Sequence, residues 1–182
     1  MIALRLVLER CLVRSWKLSD VDPVARHADN RNVWRNLRDR FPHPYTRANA
    51  EEWIRVAMAQ LPERHFAIVV DGEAAGAIGI ELRSDVYRRT AEIGYWLGEA
   101  CWGRGIATEA LRALSDWALA HFDLCRLYAK VFEWNPASMR VLEKAGYLCE
   151  GRLRLSVTKD GQTIDEVLYA LVRPPAAPGG SA

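Results

Sequence analysis

The feature that most narrows the fold lies between residues 90 and 122. The run Ala91-Glu92-Ile93-Gly94-Tyr95-Trp96-Leu97 reads as a strand. Five residues beyond it begins the turn Trp102-Gly103-Arg104-Gly105-Ile106-Ala107-Thr108. From there Ala107, Ala110, Leu111, Leu114, Trp117, Ala118 and Phe122 fall on one face of a helix. A glycine turn that opens a helix is a ready anion site. Gly103 and Gly105 let backbone N–H groups converge without Cβ obstruction, and the helix dipole favours negative charge. Arg104 adds a cation at the rim and Thr108 a hydroxyl. The anion expected is a phosphate or pyrophosphate. A tight turn into a helix with no ligand fits the bare glycines equally well. A P-loop is excluded, because no Gly-Lys-Ser/Thr follows the last glycine. A dinucleotide fingerprint fits poorly, because the pattern Gly103-x-Gly105-x-Ala107 does not directly follow its strand.

The rest of the chain supplies a mixed α/β domain. Residues 11–16 read as a short strand, and Ser19 or Asp20 as the cap of a helix running to about Arg40. The prolines of Phe41-Pro42-His43-Pro44-Tyr45 stop it. Thr46 caps a second helix, with Glu51 and Glu52 in its early turns. Residues 65–70 and 73–82 pair about an Asp71-Gly72 hairpin turn, and 90–97 complete a meander. Gly94 within that last strand suggests a bulge or a close backbone approach. Residues 126–131 form another strand. Asn135-Pro136 opens a helix that ends before Gly146, and 147–157 with 164–172 make a final hairpin. The domain is expected over 1–172, with a disordered tail at 173–182.

With 182 residues, half of them hydrophobic, the chain can bury one core as a single domain. The formal net charge of +2 makes no case for nucleic-acid binding, which usually shows a strongly basic face. Cys11, Cys101, Cys125 and Cys149 lie too far apart in sequence for a C-x-x-C pair. They read as reduced thiols, and no metal site is expected. The N-terminal apolar runs are too short for a signal segment or a membrane span, so a cytoplasmic protein without membrane contact is expected.

Two motifs in order carry a resemblance. AEIGYWLGEACWGRGIATEALRALSDWAL at 91–119 and FEWNPASMRVLEKAGYLCEGRLR at 132–154 resemble the GNAT superfamily of N-acetyltransferases, in its RimJ/RimL-like branch of ribosomal-protein N-terminal acetyltransferases. Leu12-Val13-Arg14-Ser15-Trp16 and FPHPYT at 41–46 are similar to that branch's first strand and its loop between helices. The resemblance implies an α/β (α+β) fold. Its mostly antiparallel central sheet has six to seven strands, a splay between the fourth and fifth, and about four flanking helices. It implies acetyl-CoA as cosubstrate and an amine acceptor, and it leaves room for a homodimer. Backbone amides of Gly103, Arg104, Gly105, Ile106, Ala107 and Thr108 would hold the pyrophosphate. The pantetheine arm would pair with the backbone of Tyr95, Trp96 and Leu97, as strand addition to a sheet edge. Asn135 would reach a cofactor amide or a bound water, and Ser138 the thioester sulfur.

The implied chemistry is direct attack of a neutral amine on the thioester. The Leu97 N–H is the candidate donor to the oxyanion. An α-amine has a pKa near 8 and lysine about 10.4, so an α-amine is neutral at pH 7 more often by about two powers of ten. This favours a protein N-terminus or another weakly basic amine as acceptor. Ser138 is the expected hydrogen-bond donor to the departing thiolate. Some relatives carry a glutamate base where this chain has Val157, and another subfamily carries a tyrosine acid where it has Leu142. Glu92 is then the first carboxylate to consider as base, with Asp165 and Glu166 behind it; a solvated or salt-bridged strand residue fits Glu92 equally well, and a water chain to bulk solvent could also serve. His43 and Tyr45 lie in the FPHPYT loop, which in the family borders the acceptor cleft. Arg31, Arg35 and Arg38 share a face if their helix is regular, most simply a solvated face balanced by Asp29 and Asp39. The missing glutamate and tyrosine keep a second reading open, a catalytically degenerate module that binds or senses acyl-CoA.

Overall fold

A computed structural model describes residues 3–174; the expected tail lies outside them from residue 175 on. Eight strands form one sheet: β1 (Arg5–Val7), β2 (Leu12–Arg14), β3 (His65–Val70), β4 (Glu73–Leu82), β5 (Thr90–Leu97), β6 (Arg126–Phe132), β7 (Leu148–Lys159) and β8 (Gln162–Val172), in the spatial order β1-β2-β3-β4-β5-β6-β8-β7. The strand beyond the expected count is β1, three residues that pair only with β2. Every pairing is antiparallel except β5 with β6. That pairing covers only Thr90↔Arg126, Ala91↔Leu127 and Glu92↔Tyr128. Past Glu92 the two strands part, which is the expected splay.

Among the described residues five α-helices flank the sheet: α1 (Val21–Ala28), α2 (Arg31–Trp34), α3 (Arg47–Met58), α4 (Ile106–His121) and α5 (Pro136–Lys144). One long helix was expected across α1 and α2, and Asn30 cuts it. Its backbone is extended and its side-chain oxygen accepts from the N–H groups of Asn32 and Val33, so a new helix starts there. Because α2 ends at Trp34, Arg31, Arg35 and Arg38 do not share a helix face. Arg31 pairs with Asp160 at 2.6 Å, Arg35 lies over the Trp134 ring, and Arg38 pairs with Glu92.

The sheet separates two apolar layers. Phe66, Ile68, Ile93, Leu97, Leu111, Leu114 and Leu127 pack on the α4–α5 side. Trp16, Val24, Ile54, Ala67, Val69 and Ala77 pack on the α1–α3 side, with Trp96 against them. Alternation along β5 therefore sends Glu92, Gly94 and Trp96 to the α1–α3 face, and Ile93, Tyr95 and Leu97 to the other. No bulge occurs at Gly94, because the β4–β5 register runs unbroken from Gly76↔Leu97 to Leu82↔Ala91. Within the meander the register shifts instead between Ile68 and Val69, and β7 carries two further shifts, at Cys149/Gly151 and Leu153/Val157. A Cβ at Gly94 would meet nothing within 4 Å, so this glycine opens space above the sheet.

Candidate active site

A cleft of ≈ 920 Å³ follows the splay, from the start of α4 past α5 to β8. At one end stands the glycine turn. Gly103 and Gly105 have φ of 75° and 77°, a conformation that strains any residue with a Cβ. Gly105 occupies the N-cap of α4 and offers no side-chain acceptor. The first-turn N–H groups of a helix have no intrahelical partner. The starts of α2, α3 and α5 are each capped by a side chain, from Asn30, Thr46 and Asn135, while the eight-residue α1, like α4, has no side-chain cap. The 16-residue α4 thus presents uncapped donors where Gly103, Gly105, Ile106, Ala107 and Thr108 line the cleft. Arg104 departs from expectation: its guanidinium turns to Asp71, at 3.3 Å, and does not line the cleft. The cations beside the turn are Arg10, Arg112 and Lys144, in an adjoining cavity of ≈ 570 Å³ that shares Gly105 and Thr108.

The β5 edge supplies a second row of donors. The Gly98 N–H donates to Ala75 O on the β4 side, and the Trp96 carbonyl also faces β4, where it would collide with any Cβ on Gly76. In an antiparallel ladder successive residues alternate their backbone groups between the two neighbours. The N–H groups of Tyr95 and Leu97 therefore point into the splay. Trp96 was expected to bind through its backbone; its N–H and carbonyl face β4 instead, although the residue lines the cleft. The Leu97 carbonyl is taken by Trp102 Nε1, at 2.7 Å, which ties the glycine turn to the end of the strand.

The far wall is α5. Asn135 caps it through Oδ1, which accepts the Ser138 N–H at 3.1 Å. That bond holds Ser138 at the mouth of the splay, and both residues line the cleft. The Ser138 hydroxyl meets the Tyr95 hydroxyl at 2.8 Å. Burial pushes the Tyr95 phenol up to about 12, with the Ser138 hydrogen bond opposing. The phenol therefore stays protonated and can donate to Ser138 Oγ, leaving the serine proton free for another acceptor. Sequence reasoning gave Tyr95 only a backbone role. The alternation along β5, which aims its side chain at α5, was the available signal.

Glu92 is buried, but it is not a free carboxylate. Arg38 and Arg83 both pair with it, and the Tyr128 hydroxyl donates at 3.5 Å. Arg38 takes Oε1 and Arg83 takes Oε2, so neither carboxylate oxygen is left open to an incoming amine. Asp165 is similarly engaged, at 2.7 Å from Arg152 Nε and accepting the Leu155 N–H. Leu142 is buried in the core.

The acceptor loop divides. Tyr45 is buried against Phe41, lines the cleft, and has its phenol pushed up to about 12 by burial. His43 does not line the cleft; it stacks on Trp34 with Nδ1 3.7 Å from Asp29. The segment is pinned from the far end of the chain. Lys159, buried, donates to Asp39 at 2.7 Å and lies 3.7 Å from the centre of the Trp34 ring.

An uncapped helix start, a parted strand pair and a helix-capping asparagine are now in place. Residues 10–148 match the model of the acetyltransferase (GNAT) domain. The chain belongs to the GNAT family. A probable N-acetyltransferase, YjcK, of Bacillus subtilis is 39% identical over 114 residues, 62% of this chain and 63% of the relative, so the match spans just under two thirds of that protein. An uncharacterized N-acetyltransferase, p20, of Bacillus licheniformis is 29% identical over 92% of this chain and 96% of its own length. Among solved GNAT structures, Mycobacterium smegmatis RimJ in complex with CoA-disulfide superimposes with a TM-score of 0.80 at 26% identity, covering 93% of this chain and 86% of that one. Among the described residues no helix is long and apolar enough to cross a membrane.

Proposed function

We propose that this protein is an N-acetyltransferase that uses acetyl-CoA and acetylates a primary amine by direct transfer. The acceptor class that fits is a protein N-terminal α-amine or a small-molecule amine. The observation that carries the reading is the alignment of two donor rows along one cleft. The Tyr95 and Leu97 N–H groups face the splay, and the uncapped start of α4 closes its end.

In this reading the amides at 103–108 bind the pyrophosphate, and the β5 edge binds the pantetheine amides. The Leu97 N–H donates to the oxygen that gains charge as the amine adds to the thioester carbon. The Tyr95 N–H, pointing the same way, anchors the arm one pleat down. The C–S bond then breaks, and Ser138 donates a hydrogen bond to the departing thiolate while Tyr95 donates to Ser138. Donation through a serine already held by a phenol requires no free acid of low pKa.

The test is turnover. Labelled acetyl-CoA is incubated with short peptides bearing free α-amines, with polyamines and with aminoglycosides, and thiol release is followed. Acceptor-dependent release above hydrolysis is expected. Tight acetyl-CoA binding without release refutes the enzyme and leaves a binding module. No binding by calorimetry refutes both.

A further inference from the structure

We propose that Glu166 takes the proton from the acceptor amine; the assignment rests on the acetyltransferase reading above. Position within the sheet comes first. Glu92 pairs with Tyr128 across β5 and β6, while Glu166 pairs with Phe132, four residues further along β6. At about 3.3 Å per residue that is roughly 13 Å up the strand. The β5 residue at the same height as Phe132 is Trp96. It stands between Tyr95 and Leu97, the two residues whose N–H groups enter the splay. Glu92 lies at the bottom, where the strands are still joined. Glu166 lies level with the donors.

The face agrees as well. Paired residues in a sheet share a face, so Glu166, Phe132 and Trp96 all rise on the α1–α3 side, beneath the loop that carries Tyr45. Tyr95 and Ser138 meet on the opposite side. A thioester lying in the splay would have Glu166 on one face and the thiol-side donors on the other. The amine adds to one face of the planar thioester, so a base on that face and sulfur donors clear of it leave the line of attack open.

The carboxylate is also unencumbered. Glu166 is 7% exposed and lines the cleft. Its Oε2 accepts from Ser156 Oγ at 3.2 Å. Among the described residues Oε1 accepts no hydrogen bond, and no Lys, Arg or His lies within 4.0 Å of the carboxylate, Lys130 on the same face included. Glu92, by contrast, is held between two arginines. The proton balance closes. The acceptor ammonium gives its proton to Oε1, the neutral amine forms the C–N bond as C–S breaks, and the amine's second proton ends on the thiol. Glu166 then returns its proton to water through the open cleft.

Three alkylamines of falling basicity test this: ethylamine, 2-fluoroethylamine and trifluoroethylamine, each assayed at pH 7 on wild type and Glu166→Gln beside the best peptide acceptor. Glu166→Gln keeps the shape and the Ser156 contact. Its kcat/KM is expected to fall about 100-fold or more on the peptide and on ethylamine. The deficit should shrink to within a few-fold on trifluoroethylamine, which is largely neutral already, with acetyl-CoA affinity and thermal midpoint unchanged. A deficit constant across the series, or an equal loss of acetyl-CoA affinity, overturns the assignment and leaves the acetyltransferase reading standing. Wild type that binds acetyl-CoA but acetylates none of these amines overturns both.

Discussion

Replacing Glu92 with Gln separates a structural carboxylate from a catalytic one. The substitution keeps the side chain's volume and removes the charge that Arg38, Arg83 and Tyr128 converge on. Hydrogen bonds to charged groups contribute about 1.5–3 kcal/mol each when well shielded. Here the two arginine side chains are 52% and 41% exposed, so both rehydrate once the charge has gone. The net loss should therefore be about 1–2 kcal/mol in all, nearer to a screened pair than to a buried one. For a domain of this size that lowers the thermal midpoint by roughly 3–6 °C. Arg38 also tethers the segment between α2 and α3 that roofs the cleft, so the acceptor KM should rise while kcat stays within about five-fold of wild type. Urea unfolding, a thermal melt and steady-state kinetics measure all three. An unchanged midpoint with kcat down 100-fold would refute the reasoning: it would make Glu92 the proton acceptor and leave Glu166 without a role.

Three further outcomes are expected. Gly105→Val forces a β-branched residue to a φ of 77°, costing about 1–2 kcal/mol or more in strain, and crowds the amides of the turn, so calorimetry should show acetyl-CoA binding lost while the fold persists. Ser138→Ala and Tyr95→Phe should each lower kcat with the acetyl-CoA Kd within about two-fold, and the double variant should be little worse than either alone, since the two hydroxyls act as one unit; additive losses would separate them. Asp39→Ala strands the buried Lys159 ammonium and should cost about 3 kcal/mol in urea unfolding, more than Lys159→Met, which leaves Asp39, 74% exposed, to rehydrate.

What could be read from the sequence was whatever depends on neighbours along the chain. The Asp71-Gly72 turn, the Thr46 and Asn135 caps and the α4 stripe are local, and each stands where its residues place it. The break at Asn30 was local too, but a helical pattern of apolar residues on both sides hid it. What the sequence left open at the site was set by pairings distant in sequence. Nothing near Glu92 reveals that Arg38, 54 residues earlier, will neutralise it. Nothing near Lys159 reveals Asp39, 120 residues away. Arg104 was expected to add a cation at the rim of the glycine turn, and only the fold shows its guanidinium paired with Asp71. The height of Glu166 relative to Trp96 is a property of sheet register across three strands, which no single segment contains.

The parted strands have a consequence for how the molecule could be taken apart. β1 to β5 with α1 to α4 form one piece, and β6 to β8 with α5 form another, joined in the sheet by three residue pairs. The covalent link between them is the short stretch 122–125. Cut there, the chain becomes two fragments, each carrying half of the cleft: the donor rows of β5 and α4 on one, and Asn135, Ser138 and Glu166 on the other. A ligand lying in the splay would touch both. Reassembly of such a split protein would then depend on the cosubstrate, and enzyme activity would report acetyl-CoA as the clasp that brings the fragments together.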